Sequence, residues 1–397
     1  MVEWKEYRIK DLGEVVTGNT PPTSNREYYG TEYKFIKPTD MVEGQRFVST
    51  TEEYYSELAY QKYKKCLLPP KTPCVVTIGS LGKKMCLTDT ECFTNQAVNA
   101  VIPNKENDGE FLYYAFKASV LAYVKQLDSG TTSGRENVSK SSFSKIKVRV
   151  PPLPTQKKIA SILSAYDDLI QNYKKQIQAL QTAASELYKE WFVRFRFPGY
   201  KNSRFENGIP EGWKVEKLFD VAKIIYGYPF NSDEFCDDSS LNPVVRIRDI
   251  LDNYTNTYTS ETCDEKYWIN PNEMLIGMDG IFHMSLWTGK RALQNQRTVR
   301  VTSKVKNLSN YYLYFSLYPQ IKALEQMIVG TTVAHLGDKH IKKITILIPE
   351  DKILKMSFER LEPIMNRIYS LQQQITNLTQ QRDLLLPRLM SDKLEVE

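Results

Sequence analysis

The chain repeats itself, and no other feature narrows its possible folds as much. Trp4-Lys5, Ile9, Asp11-Leu12, Val15-Val16 and Gly18 align with Trp213-Lys214, Leu218, Asp220-Val221, Ile224-Ile225 and Gly227 at an offset of 209 residues. That offset holds without a gap to Ile36-Lys37 and Asp40-Met41, which match Val245-Arg246 and Asp249-Ile250. Asn95-Gln96 then answers Asn295-Gln296, and Gly130-Thr131-Thr132 answers Gly330-Thr331-Thr332, both at offset 200. Ile146–Pro151 matches Ile344–Pro349 at offset 198. The order is collinear and the offset shrinks only by loop-sized deletions, so the chain holds two copies of one unit.

After each closing proline the apolar period changes from two to helical. In the first copy Ile159, Leu163, Tyr166, Ile170, Tyr173, Ile177, Leu180, Ala184, Leu187 and Trp191 are spaced alternately four and three apart. The second copy runs Leu361, Ile364, Ile368, Leu371, Ile375, Leu378, Arg382, Leu385 and Leu389 in the same manner. Such a seam predicts two long helices that pack as a coiled coil. A twofold relation between the copies would make the pair antiparallel. At 1.5 Å per residue the first seam would span about 48 Å and hold two globular modules at its ends. Pro387 is expected to end or bend the last turn of the second helix.

Upstream of each helix the pattern is β-rich, with one shorter helix. Strands are expected at 33–36, 74–78 and 97–102, with a helix over 111–127. The second copy has strands at 243–247, 273–276 and 298–301, with a helix over 310–327. The predicted class is α+β: two similar globular domains at 1–154 and 198–350, followed by long helices at 155–197 and 351–397.

Enzymatic motifs are missing. Gly79-Ser80-Leu81-Gly82-Lys83-Lys84 has two residues between its glycines, where a phosphate loop needs four, and no Ser or Thr follows the lysine. A tight turn fits it better, as it does Gly277-Met278-Asp279-Gly280, read here as its counterpart. There is no Gly-x-Ser-x-Gly elbow, and no Asn-Pro-Pro-aromatic or Asp-Pro-Pro-aromatic motif for amino-group methylation. The three histidines all fall in the second copy. The six cysteines include no Cys-x-x-Cys pair, so neither a metal site nor a disulfide framework is expected. No apolar run is long enough to span a membrane, and the N-terminal residues lack a secretory pattern; a cytoplasmic location is expected. Net charge is +6 and spread evenly, with 21 basic and 18 acidic side chains in residues 1–150, so composition alone does not signal nucleic acid.

The arrangement resembles the specificity subunit of type I restriction–modification systems. The resemblance is carried by the opening Trp4–Pro21, by Val150-Pro151-Pro152-Leu153-Pro154-Thr155-Gln156-Lys157-Lys158-Ile159-Ala160, and by Leu187-Tyr188-Lys189-Glu190-Trp191-Phe192. Ile209-Pro210-Glu211-Gly212-Trp213 and Leu384-Leu385-Leu386-Pro387-Arg388-Leu389-Met390 complete it. The second copy departs at Ile348-Pro349-Glu350-Asp351-Lys352, where the Pro-Pro-Leu block is absent. The resemblance implies a subunit with no catalytic residues, whose two target-recognition domains each read half of a split, asymmetric site in double-stranded DNA. It further implies docking of two methyltransferase subunits and then of motor–nuclease subunits. S-adenosylmethionine, ATP and magnesium would serve those chains. A protein-interaction adaptor that never touches DNA is the competing reading.

Candidate DNA-contacting residues are polar or basic groups at matching places in the two copies. Lys37 with Thr39, and Arg246 with Arg248, follow the first shared strand and suit phosphates or guanine edges. Lys83 and Lys84 could grip the backbone. Asn95 and Gln96, like Asn295 and Gln296 with Arg297, carry amides suited to adenine. Thr131, Thr132, Ser133 and Arg135, and in the second copy Thr331, Thr332 and His335, form polar loops beside a helix end. Because sequence-specific readers should differ between halves, residues shared by both copies point toward scaffold.

Overall fold

The computed structural model describes residues 3–127, 137–328 and 334–391. They form two compact units, Met1–Gln171 with Asn377–Glu397, and Asn172–Thr376.

In the first unit the apolar runs become a four-stranded antiparallel sheet, in the order Gly13–Thr17, Val98–Pro103, Pro73–Val76, Met85–Leu87. Pro73–Val76 is buried along its whole length, as an unbroken apolar run requires. A second sheet sets Tyr29–Ile36 between Glu53–Tyr55 and Cys92–Thr94, the latter pair parallel with Ile36 opposite Thr94. The opening strand Lys5–Arg8 pairs antiparallel with Lys147–Val150, the strand that runs into the first long helix. Asp108 caps a helix at Gly109–Ala115 by accepting from the Phe111 N–H. That helix passes through a π-turn at Phe116–Val120 and resumes at Leu121–Gln126, where the sequence predicted one uninterrupted helix.

The second unit repeats this plan. Ala222–Tyr226, Thr298–Ser303, Met274–Gly277 and Met284–Leu286 form its first sheet. Asn242–Val245 and Ala292–Gln294 form the matching parallel pair, with Val245 opposite Gln294. Lys214–Lys217 pairs with Thr345–Ile348. Its module helix, Asn310–Met327, is capped by Ser309 and spans the expected residues. The repeated glycine also finds its reason. A Cβ on Gly18 would lie 2.1 Å from the Thr94 carbonyl oxygen, and one on Gly227 2.0 Å from that of Asn295, so each strand end crosses a turn too closely for any side chain.

The long helices run Leu153–Tyr188 and Asp351–Met390. Within the first unit Ile159, Ala160 and Leu163 share a core with Leu386 and Leu389, while Asp167 reaches Arg382. Numbers rise along one helix as they fall along the other, so these segments are antiparallel. Within the second unit Ile177 and Ala184 cluster with Leu361, Met365, Ile368 and Leu371. Tyr173, Leu180, Leu187, Ile364 and Ile375 border that cluster, Ile170 is buried, and Tyr166 and Leu378 are half-buried. Near the end the buried position is Leu386, with Leu385 half-buried beside it. Pro387 does not end the helix, which continues to Met390 with Leu389 anchored in the core.

Candidate nucleic-acid interface

In each unit the shared parallel strand ends at a basic residue whose backbone is capped by an aspartate three positions on. The Lys37 N–H donates to Asp40 Oδ2 at 2.8 Å, and the Arg246 N–H to Asp249 Oδ2 at 2.9 Å. This explains why the aspartate recurs in the repeat. The two basic side chains then differ. Lys37 Nζ is held by Glu52 at 2.8 Å and Glu53 at 3.0 Å. Burial pulls the pKa of that ammonium down, but the two carboxylates outweigh it and leave the pKa raised. Arg246 Nε lies 3.3 Å from Asp249 and is half-buried.

Arg246 nevertheless lines an open groove of 530 Å³ in the second unit, together with Phe235, Ile247, Arg248, Asp279, Ile281, His283, Asn295 and Arg297. Asp279 accepts from Arg297 Nη1 at 3.1 Å and lies 2.7 Å from His335 Nδ1. Two of the three arginines thus have carboxylate partners. Arg248 is exposed and has no side-chain hydrogen bond or ion pair among the described residues. Its charge faces open water, the arrangement a phosphate or guanine contact needs.

The shared amides hold turns. Asn95 Oδ1 accepts from the Ala97 N–H at 3.1 Å, and Asn295 Oδ1 from the Arg297 N–H at 3.2 Å. Gln96 accepts from the Thr20 hydroxyl while remaining exposed. Gln296 is half-buried, and its Oε1 has no partner among the described residues. In the first unit Thr39 and Lys83 are exposed, and Lys84 Nζ donates to the Pro38 carbonyl at 2.8 Å. Thr131, Thr132, Ser133, Arg135, Thr331 and Thr332 lie outside the described residues.

The glycine turns match differently from the sequence alignment. Val75 pairs with Asn99 and Ile276 with Val299, which sets Gly79 against Gly280 and not Gly277. Both glycines have positive φ, +87° and +69°. The next residues are then Ser80 and Ile281, followed by buried Leu81 and Phe282. Sequence reasoning passed over Asp279, Ile281 and Phe235 as groove residues.

Among the described residues no cluster of His, Cys, Asp and Glu is placed to hold a metal ion. No helix there is long and apolar enough to cross a membrane.

Two copies of one sheet module, each running into a long helix, and in the second copy a groove lined by three arginines, describe a recognition component built by duplication. The family described as type I restriction modification DNA specificity domain matches residues 1–182 and again 210–380, so the chain belongs to that family, a family of recognition components and not of enzymes. The specificity subunit of the type I restriction enzyme MjaIX from Methanocaldococcus jannaschii is 29% identical over all of this chain and 94% of its own length. That of HindI from Haemophilus influenzae is 37% identical over 40% of this chain and 35% of its own. The crystal structure of the type I restriction–modification S subunit from M. genitalium matches the fold with a TM-score of 0.65 at 14% identity, covering 100% of this chain and 97% of that one.

Proposed function

We propose that the chain reads a bipartite, asymmetric site in double-stranded DNA, one half per module, and docks two methyltransferase subunits. Two motor–nuclease subunits would complete a cleaving complex in the cytoplasm, with S-adenosylmethionine, ATP and magnesium bound by those partners. The recognition domains are 1–154 and 198–350. The helical segments 155–197 and 351–397 set the length of DNA left unread between the half-sites. Family membership supports DNA specificity, and the difference between the modules supports two different half-sites.

One observation carries the reading of the second half-site: a solvent-facing Arg248 in a groove whose other arginines are held by carboxylates. We assign direct DNA contact first to Arg248, Thr39, Gln96 and Lys83, and a positioning role to Lys37, Lys84, Asn95, Arg246, Asn295 and Arg297. His335 would act through Asp279. The test is equilibrium binding of the complex with its methyltransferase subunits to duplexes carrying its site, across salt concentrations. Arg248→Ala is expected to weaken binding and reduce the slope of log K against log salt by about one. Lys37→Ala, whose charge is already neutralised by glutamates, should leave that slope unchanged. An unaltered slope for Arg248→Ala would remove it from the interface.

A further inference from the structure

The turn at Gly280 sends one large apolar side chain into the basic groove. Phe282 points inward and is fully buried, whereas Ile281 is 59% exposed. A lone exposed isoleucine is ordinary on a protein surface, but this one is set apart by its place. Its turn is pinned from both sides: the Gly280 N–H donates to the Ala334 carbonyl at 2.9 Å, and the Leu336 N–H to that of Met278 at 2.7 Å. Asp279, one residue before the turn's glycine, is held by Arg297 and His335. Phe235 and Ile247 share the groove wall with Ile281, and Arg246, Arg248 and Arg297 line it too. A rigid aliphatic surface among cations fits a partner that is anionic overall and carries an apolar group at its edge. Duplex DNA offers one such group in its major groove, the C5-methyl of thymine.

We propose that Ile281, backed by Phe235, contacts the methyl group of a thymine in the second half-site, beside the base or phosphate held by Arg248. The proposal rests on the DNA-reading function above and adds the chemistry that function would recognise. It also explains why the modules differ here. The first has Ser80 at the matching position and would make no methyl contact there.

The test uses the full chain in complex with its methyltransferase subunits, and a recognised site selected from random duplexes. Each thymine of the second half-site, on either strand, is replaced in turn by uracil, which lacks only the methyl. Burying one methyl-sized group predicts that uracil at one position weakens wild-type binding about threefold to fivefold. Ile281→Ser, a surface change expected to leave folding intact, should weaken binding to thymine DNA by a similar factor and make the complex indifferent to uracil there. Site-specific binding that tolerates uracil everywhere, or a second half-site without thymine, would overturn the methyl contact while leaving base reading intact. Binding with no sequence preference in the second half would overturn the function on which it rests.

Discussion

Asp167 and Arg382 face each other between the paired helices at positions that the second unit fills with apolar residues. Arg382 is one of the few buried charges in the chain; it reaches Asp167, whose other oxygen accepts from the Tyr114 hydroxyl at 2.6 Å. Arg46 contacts Tyr114 at 3.2 Å and pairs with Asp168. Burial, with Asp167 alongside, pushes the Tyr114 pKa far up and keeps its hydroxyl a donor. At the repeat offset of 198, Asp167 corresponds to Met365 and Arg382 to Ala184, both buried in the second unit's cluster. Arg382→Ala leaves the Asp167 carboxylate buried without its cation and should cost about 3–5 kcal/mol, whereas in Asp167→Ala the arginine keeps Asp383 at 2.8 Å and the cost should be smaller. The double variant Asp167→Met with Arg382→Ala copies the other unit and should recover most of that loss. Urea denaturation of the three variants decides it; a double variant as unstable as the sum of the singles would refute the equivalence. A sequence pattern shows the arginine interrupting the seam, but its carboxylate lies 215 residues away.

Among the elements, the start of the first long helix illustrates how a motif can be legible while its purpose is not. Gln156 stands out in the sequence as part of a proline-rich block. In the structure its carbonyl accepts from the Asp108 N–H at 2.9 Å, and its amide donates to the Pro151 carbonyl at 2.9 Å and to Asn107 at 3.2 Å. One side chain thereby ties the long helix to the capping residue of the module helix. The second unit lacks the block and has buried Leu354 at the matching place. Gln156→Leu should therefore cost about 1–3 kcal/mol, because it leaves buried backbone groups unsatisfied; an unchanged urea midpoint would show that water replaces these bonds. Strands and helices were largely readable in advance because apolar period and turn residues are local properties. The π-turn at Phe116–Val120 and the choice of Leu386 over Leu385 were not, since both depend on what packs against the helix.

At the scale of the molecule, each long helix contributes to both compact units, divided after Gln171 and after Thr376. Adding one heptad at both places preserves the pairing inside each unit and lengthens each helix by about 10 Å. Under the proposed function this should lengthen the unread spacer and leave both half-sites intact. Sequencing the methylation left on DNA by the complex measures it; altered half-sites with an unchanged spacer would refute the role given to the helices. The amino-acid sequence alone determined the duplication, the β-rich modules and the heptad seams, because each is written in residue spacing along the chain. Which cations remain available to DNA was decided only by the tertiary structure. Glu52 and Glu53 claim Lys37, and Asp279 claims Arg297, while Arg248 stays unpaired among the described residues. Neutralisation of a charge depends on distance in space, and the fold sets that distance by pairing elements far apart in the chain.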